Sequence, residues 1–75
     1  MRGWLEKERA KAGLTQAELA KKLDLTESYY SRIESGERQK KMDVTLVAKL
    51  SAVLGIPIVD IIELEAKDEG GVSDG

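Results

Sequence analysis

A chain of 75 residues holds one small domain, near the size at which a single hydrophobic core barely suffices. It contains no cysteine and no histidine, so disulfides, thiolate metal sites and the most common general bases are excluded; with no Walker or dinucleotide-type glycine loop either, neither an enzyme nor a bound metal or cofactor is expected. The formal net charge of −2 is unevenly spread: residues 1–57 carry 11 Lys/Arg against 8 Asp/Glu, whereas residues 58–75 carry Lys67 against six acids.

The first helix is predicted over Gly3 to Ala12, stopped by Gly13. Thr15 then caps a second helix, Gln16 to Leu23, with Glu18 placed to complete a capping box and Leu14 and Leu19 at the staple positions. After a turn of only Asp24, Leu25 and Thr26, Thr26 caps a third helix, Glu27 to Ser35, with Leu25 and Tyr30 as its staple and Gly36 as its stop. Two helices joined so tightly cross steeply, the geometry of a helix-turn-helix. A loop from Gly36 to Met42 follows. Asp43 caps a fourth helix that reaches Leu54 and stops at Gly55, and Pro57 opens a fifth that ends about Glu65. Apolar residues recur at helical spacing at Leu19 and Leu23, at Tyr30 and Ile33, at Val44, Val47, Leu50 and Leu54, and at Ile58, Ile61 and Ile62. No stretch alternates with period two for long enough to make a strand. The expectation is a compact five-helix, all-α domain over residues 1–65. Residues 66–75, acidic and glycine-rich, read as a disordered tail or the start of a linker.

Several short motifs in order, Leu14-Thr15-Gln16, Glu18-Leu19-Ala20, Leu23, then Tyr30-Ser31-Arg32-Ile33-Glu34 and Gly36, resemble the Cro/repressor (Xre-type) helix-turn-helix family of bacterial and phage regulators. The resemblance extends loosely from Leu5 to Ile62. It implies a lambda-repressor-like fold, with the second and third helices forming the DNA-binding motif. Two departures stand out. The turn position that usually carries glycine is Asp24, and the segment from Gly36 to Gly55 is longer than usual and lacks the customary proline.

With Tyr30 and Ile33 directed to the core at 100° per residue, Ser28, Arg32 and Ser35 face outward, Tyr29 and Ser31 lie on the flanks, and Glu27 stands at the helix start. By resemblance, the base-reading positions are Glu27, Ser28, Tyr29 and Arg32. Arg32 can pair two-pronged with guanine O6 and N7; the alternatives are a phosphate contact or a solvated arginine. Glu27 can accept from cytosine N4 or simply stabilise the helix start, and Tyr29 can touch DNA or pack back on the second helix. Phosphate contacts are expected from Gln16, Ser31, Ser35 and the basic run Arg38, Lys40 and Lys41, which is otherwise a solvated loop. Arg9 and Glu34 are a structural pair by resemblance.

One recognition helix of nine residues is about 13 Å long and covers too few base pairs for selective binding. A homodimer on a palindromic operator is therefore expected, with Leu46, Val53, Val59 and Leu64, all off the predicted core face, as a self-complementary patch or as spare core contacts. No apolar run reaches membrane-spanning length, and no signal peptide or small-molecule ligand is evident, so a soluble cytoplasmic protein with double-stranded DNA as partner follows. The expected function is a sequence-specific transcriptional regulator, most often repressive in this family. The alternatives are an antitoxin, a restriction-system controller, or a protein-interaction module that has lost DNA binding.

Overall fold

The computed structural model describes residues 1–73, with side chains through Asp68. Five helices follow in order: α1 (Gly3–Lys11), α2 (Gln16–Lys22), α3 (Glu27–Ser35), α4 (Val44–Leu54) and α5 (Ile58–Ser73), with no strand among the described residues. The all-α architecture expected from the sequence is the one found.

Local chemistry sets most boundaries. At α2 the Thr15 hydroxyl accepts from the Glu18 amide at 3.1 Å, and the Glu18 carboxylate accepts from the Thr15 amide at 2.8 Å, closing the capping box. Thr26 caps α3 through the Tyr29 amide, and Asp43 caps α4 through the Leu46 amide. Gly36 ends α3 at φ 93° and Gly55 ends α4 at φ 70°. Between α2 and α3, Asp24 takes the left-handed conformation at φ 63°, while the Leu25 amide donates back to the Ala20 carbonyl at 2.9 Å.

The core joins Trp4 and Leu5 of α1, Leu19 and Ala20 of α2 with the adjoining Leu23, Tyr30 and Ile33 of α3, Leu46, Val47 and Leu50 of α4, and Ile61 of α5. Helix α2 packs on α3, α4 on α5, and α1 bridges α3 and α5. The motif helices thus rest on a platform made by both ends of the chain.

Four expectations are corrected. Val44 is 84% exposed, because it begins α4 one turn before the stripe that enters the core. Leu46, expected off the core face, is buried in it, and Val53 and Leu64 pack against it partly buried. Along α5 the inward residues are Ile61, Leu64, Glu65 and Asp68, whereas Ile58, Val59 and Ile62 face out. An inward stripe that contains two carboxylates is invisible to a search for apolar periodicity. Finally, α5 does not stop at Glu65 but continues to Ser73. Ala66 and Lys67 favour helix and no proline interrupts the run, which carries on through Gly70 and Gly71 against their low helix propensity. Residues 74–75 of the expected tail lie outside the described residues.

The Asp24 backbone yields a prediction. A non-glycine residue in the left-handed region costs roughly 1 kcal/mol, which glycine relieves while losing more chain entropy on folding. Asp24→Gly should leave stability equal or raise it by up to about 1 kcal/mol, and Asp24→Val should lower it. Urea midpoints at unchanged slope provide the measurement.

Candidate nucleic-acid interface

The orientation of α3 is fixed from beneath by a buried carboxylate. Glu34 is only 2% exposed. Arg9 of α1 donates to it twice, from Nε to Oε2 at 2.9 Å and from Nη2 to Oε1 at 3.2 Å. The Tyr30 hydroxyl donates to Oε2 at 2.6 Å, and Gln16 Nε2 at the first turn of α2 donates to Oε1 at 2.7 Å. Arg9 Nη1 also donates to the Leu14 carbonyl at 3.0 Å, holding the segment between α1 and α2. One carboxylate thereby ties α1, α2 and α3 together. Burial alone pushes the Glu34 carboxyl up, but the hydrogen bonds from Arg9, Tyr30 and Gln16 and the charge of Arg9 outweigh it and leave the group below its ordinary value. The bonds to Glu34 raise Arg9 against the opposing effect of burial. Burial, and then the bond to Glu34, push the Tyr30 phenol well up, so it stays a donor.

On the opposite side of α3, Glu27, Ser28, Arg32 and Ser35 are exposed. Among the described residues, the side chains of Glu27, Ser28 and Arg32 make no hydrogen bond, so their polar groups are uncommitted. Ser31 is half-buried, and the Ser35 hydroxyl donates to the Arg32 carbonyl at 3.0 Å, occupying its proton. Tyr29 is half-buried against the core, with its hydroxyl accepting from Gln39 Nε2 at 3.0 Å. The Tyr29 ring packs on the core, and its phenol proton has no acceptor among the described residues. Gln16 is half-buried; one N–H is engaged by Glu34 and its amide carries a second. Arg38, Lys40 and Lys41 are exposed on the loop after α3, around Gln39, which has φ 54°.

Four residues that shape this surface escaped the sequence reading. Arg2 is 4% exposed and donates to the Ile33 carbonyl at 2.6 Å, to the Arg38 carbonyl at 3.1 Å, to the Gln39 carbonyl, and to Glu65 on α5. Trp4 Nε1 donates to the same Glu65 carboxylate at 2.8 Å. Gln39 spans the loop, its carboxamide oxygen accepting from the Asp43 amide at 3.1 Å while its nitrogen reaches Tyr29. No local pattern announces contacts across 63 positions of chain.

A short turn between two capped helices, the second presenting uncommitted polar side chains, defines the helix-turn-helix class of DNA-binding domain. Residues 5–61 match the helix-turn-helix family model, and the chain belongs to that Xre-type family. It is 42% identical over 55 residues to the "Uncharacterized HTH-type transcriptional regulator YqaF" of Bacillus subtilis (strain 168), a match spanning 73% of this chain and 70% of that protein. No solved structure matches the chain significantly.

The Glu34 network generates a pH prediction. The folded carboxyl lies below its ordinary value of about 4.5. Its contribution to stability is therefore complete above that pH and is lost as pH falls through the lower, folded value. Unfolding free energy from urea titrations should decline on the acid side below about pH 4.5. Glu34→Gln should lose about 3 kcal/mol at neutral pH, because Arg9 keeps its burial but loses its countercharge, and should show a shallower acid decline.

Proposed function

We propose that this protein is a sequence-specific, double-stranded-DNA-binding transcriptional regulator that acts in the cytoplasm as a repressor, occupying a palindromic operator as a homodimer. The observation that carries this reading is the two-sidedness of α3. Its inner face is locked through Tyr30, Ile33 and Glu34, while Glu27, Ser28 and Arg32 stand exposed and unbonded at its outer face. A rigid helix with free polar side chains at its N-terminal half suits base-edge readout in a major groove. The similarity to a protein named as an HTH-type transcriptional regulator supports the same reading.

In this reading Arg32 reads guanine, Ser28 and Glu27 line the same groove, and Tyr29 donates its phenol proton to a phosphate or base. Gln16, with its second N–H, sits beside the exposed amides that begin α2 and takes a phosphate oxygen. Arg38, Lys40 and Lys41 neutralise phosphates, and Ser31 and Ser35 flank them. Dimerisation uses an apolar face on α5 revised from the sequence expectation. Ile58, Val59 and Ile62 are 48%, 60% and 54% exposed at spacings that share one side of the helix. Leu46, Val53 and Leu64 are committed to the chain's own core. Val59 is the one residue of the expected patch that remains outward.

Selection of bound sequences from random duplex DNA should return a palindromic motif; enrichment of none would reject the reading. Arg32→Ala should relax preference at one base per half-site at a cost of about 1–3 kcal/mol, whereas Gln16→Ala should weaken all sequences alike.

The dimer face carries its own prediction. Val59→Asp and Ile62→Asp should shift the protein toward monomer in analytical ultracentrifugation with helicity retained, because a charge there is costly only when buried against a partner. Leu64→Asp should instead lower stability. A wild-type chain that sediments as a monomer at tens of micromolar and binds its operator as one copy would sink the dimer.

A further inference from the structure

We propose that Arg2 is a positioning residue for DNA binding: it holds the basic loop after α3 in the conformation that meets the phosphate backbone, and Glu65 of α5 holds Arg2. The inference rests on the reading that Arg38, Lys40 and Lys41 contact phosphates, and it adds a residue that touches no DNA itself.

A guanidinium has five N–H donors in a rigid fork, and here the acceptors number the same. Nη1 donates to the Ile33 carbonyl at 2.6 Å and to the Arg38 carbonyl at 3.1 Å. Nη2 donates to the Gln39 carbonyl and to Glu65 Oε2, the latter at 3.0 Å. Nε donates to Glu65 Oε1 at 2.8 Å. The Arg2 main-chain amide adds a bond to the Glu34 carbonyl at 2.8 Å. Two of these acceptors, the Ile33 and Glu34 carbonyls, lie in the last turn of α3, where a cation is favoured. Two more, the Arg38 and Gln39 carbonyls, belong to the loop. The remaining partner is the α5 carboxylate, itself fixed by Trp4 Nε1 at 2.8 Å.

At its start the loop is held by the Glu37 and Arg38 amides, which donate to the Arg32 carbonyl at 2.9 and 3.1 Å; beyond Arg38 main-chain bonds give it little else. It forms no helix or strand, and Gln39 sits at φ 54°, a conformation that must be imposed from outside on a residue with a side chain. The Gln39 side chain supplies a second tether, to the Tyr29 hydroxyl and the Asp43 amide. Arg2 thus grips the backbone on which Arg38, Lys40 and Lys41 are mounted, while those three side chains stay exposed. A preordered loop binds phosphates without first losing conformational freedom; a released one does not.

Lysine keeps the charge at position 2 but has only three donors on one atom, so it cannot bridge carbonyls on both sides of the loop and a carboxylate together. Arg2→Lys is therefore the informative variant, compared with wild type on a random-sequence duplex at low salt and then across a salt series. Net charge is unchanged, so a loss of binding does not come from long-range attraction. Affinity at low salt should fall about tenfold, and the slope of log K against log salt should shrink by about 1–2, the counterion equivalent of one or two lost phosphate contacts. A purely stabilising role for Arg2 would leave that slope alone in any variant that circular dichroism shows to be folded.

The chain bearing Arg38→Ala, Lys40→Ala and Lys41→Ala together completes a double-mutant cycle. Removing the three bases should weaken binding strongly in wild type and much less in the Arg2→Lys background. Equal losses in both backgrounds, or a wild-type slope in Arg2→Lys, overturns the positioning role while leaving the loop's phosphate contacts standing. No loss in the triple variant overturns the loop reading, and the positioning role with it. Should Arg2→Lys lack wild-type helicity, Glu65→Gln decides: an amide oxygen cannot hold both Nε and Nη2 as a charged carboxylate does. A reduced slope upholds the proposal, and an unchanged one overturns it.

Discussion

Everything outward-facing in this domain depends on the buried carboxylate of Glu34. Placing a charge where water cannot reach it costs several kcal/mol unless hydrogen bonds and a countercharge replace the lost hydration. Here the replacement comes from three directions: Arg9 on α1, Gln16 on α2 and Tyr30 one turn earlier on α3. Because each donor sits on a different turn or helix, satisfying the carboxylate is the same act as fixing the relative placement of the three helices. An apolar contact could supply comparable stability, yet it would tolerate sliding and rotation that a two-pronged Arg9–Glu34 pair does not.

A second buried polar cluster, Arg2 with Glu65 and Trp4, performs a related task at the same C-terminal end of α3. The two clusters differ in what they order. Glu34 fixes helices, whose backbone bonds are already internal. Arg2 fixes carbonyls at a helix end and in a loop, where the regular helix ladder no longer supplies the partners. Both clusters lie in the inner layer of the domain, and both leave Glu27, Ser28 and Arg32 of α3 and Arg38, Lys40 and Lys41 of the loop uncommitted. The economy of a small domain explains the arrangement: with few apolar side chains available, a handful of fully satisfied polar groups supplies orientation while Leu5, Leu19, Leu23, Ile33, Leu50 and Ile61 supply burial.

Gln16 shows how structure and function share a side chain. Its amide has two N–H groups, and Glu34 takes one. The orientation of the second, at the open end of α2, is therefore set from inside the protein. The same division holds for Tyr29, whose ring packs on the core and whose oxygen accepts from Gln39 while its proton remains to be given. Such side chains resist classification as either core or surface, which is why α3 resists reading by exposure alone.

Short-range chemistry along the chain sets the elements. Thr15 with Glu18, Thr26, Asp43, Gly36 and Gly55 are signals whose partners lie within a few residues, so local chemistry is enough to find helix starts and stops. The outward register of Ser28 and Arg32 follows from the same short-range logic, whereas the turn at Asp24 was legible only as the position that carries glycine in the family. The pairing of Arg9 with Glu34 was legible only through family resemblance, since nothing within either helix requires it. The rotation of α5, and everything that depends on it, is set instead by long-range packing. Ile58, Ile61 and Ile62 look like one apolar stripe, but α5 turns Glu65 inward to meet Arg2 and Trp4, carrying Leu64 in and leaving Ile58 and Ile62 outside. Leu46 likewise proved a core residue, on the side of α4 that neighbours Leu25 and Tyr29. A charge that is buried because a distant arginine awaits it breaks the rule that polar residues face water. Only the folded chain, which brings position 2 beside position 65, contains the reason.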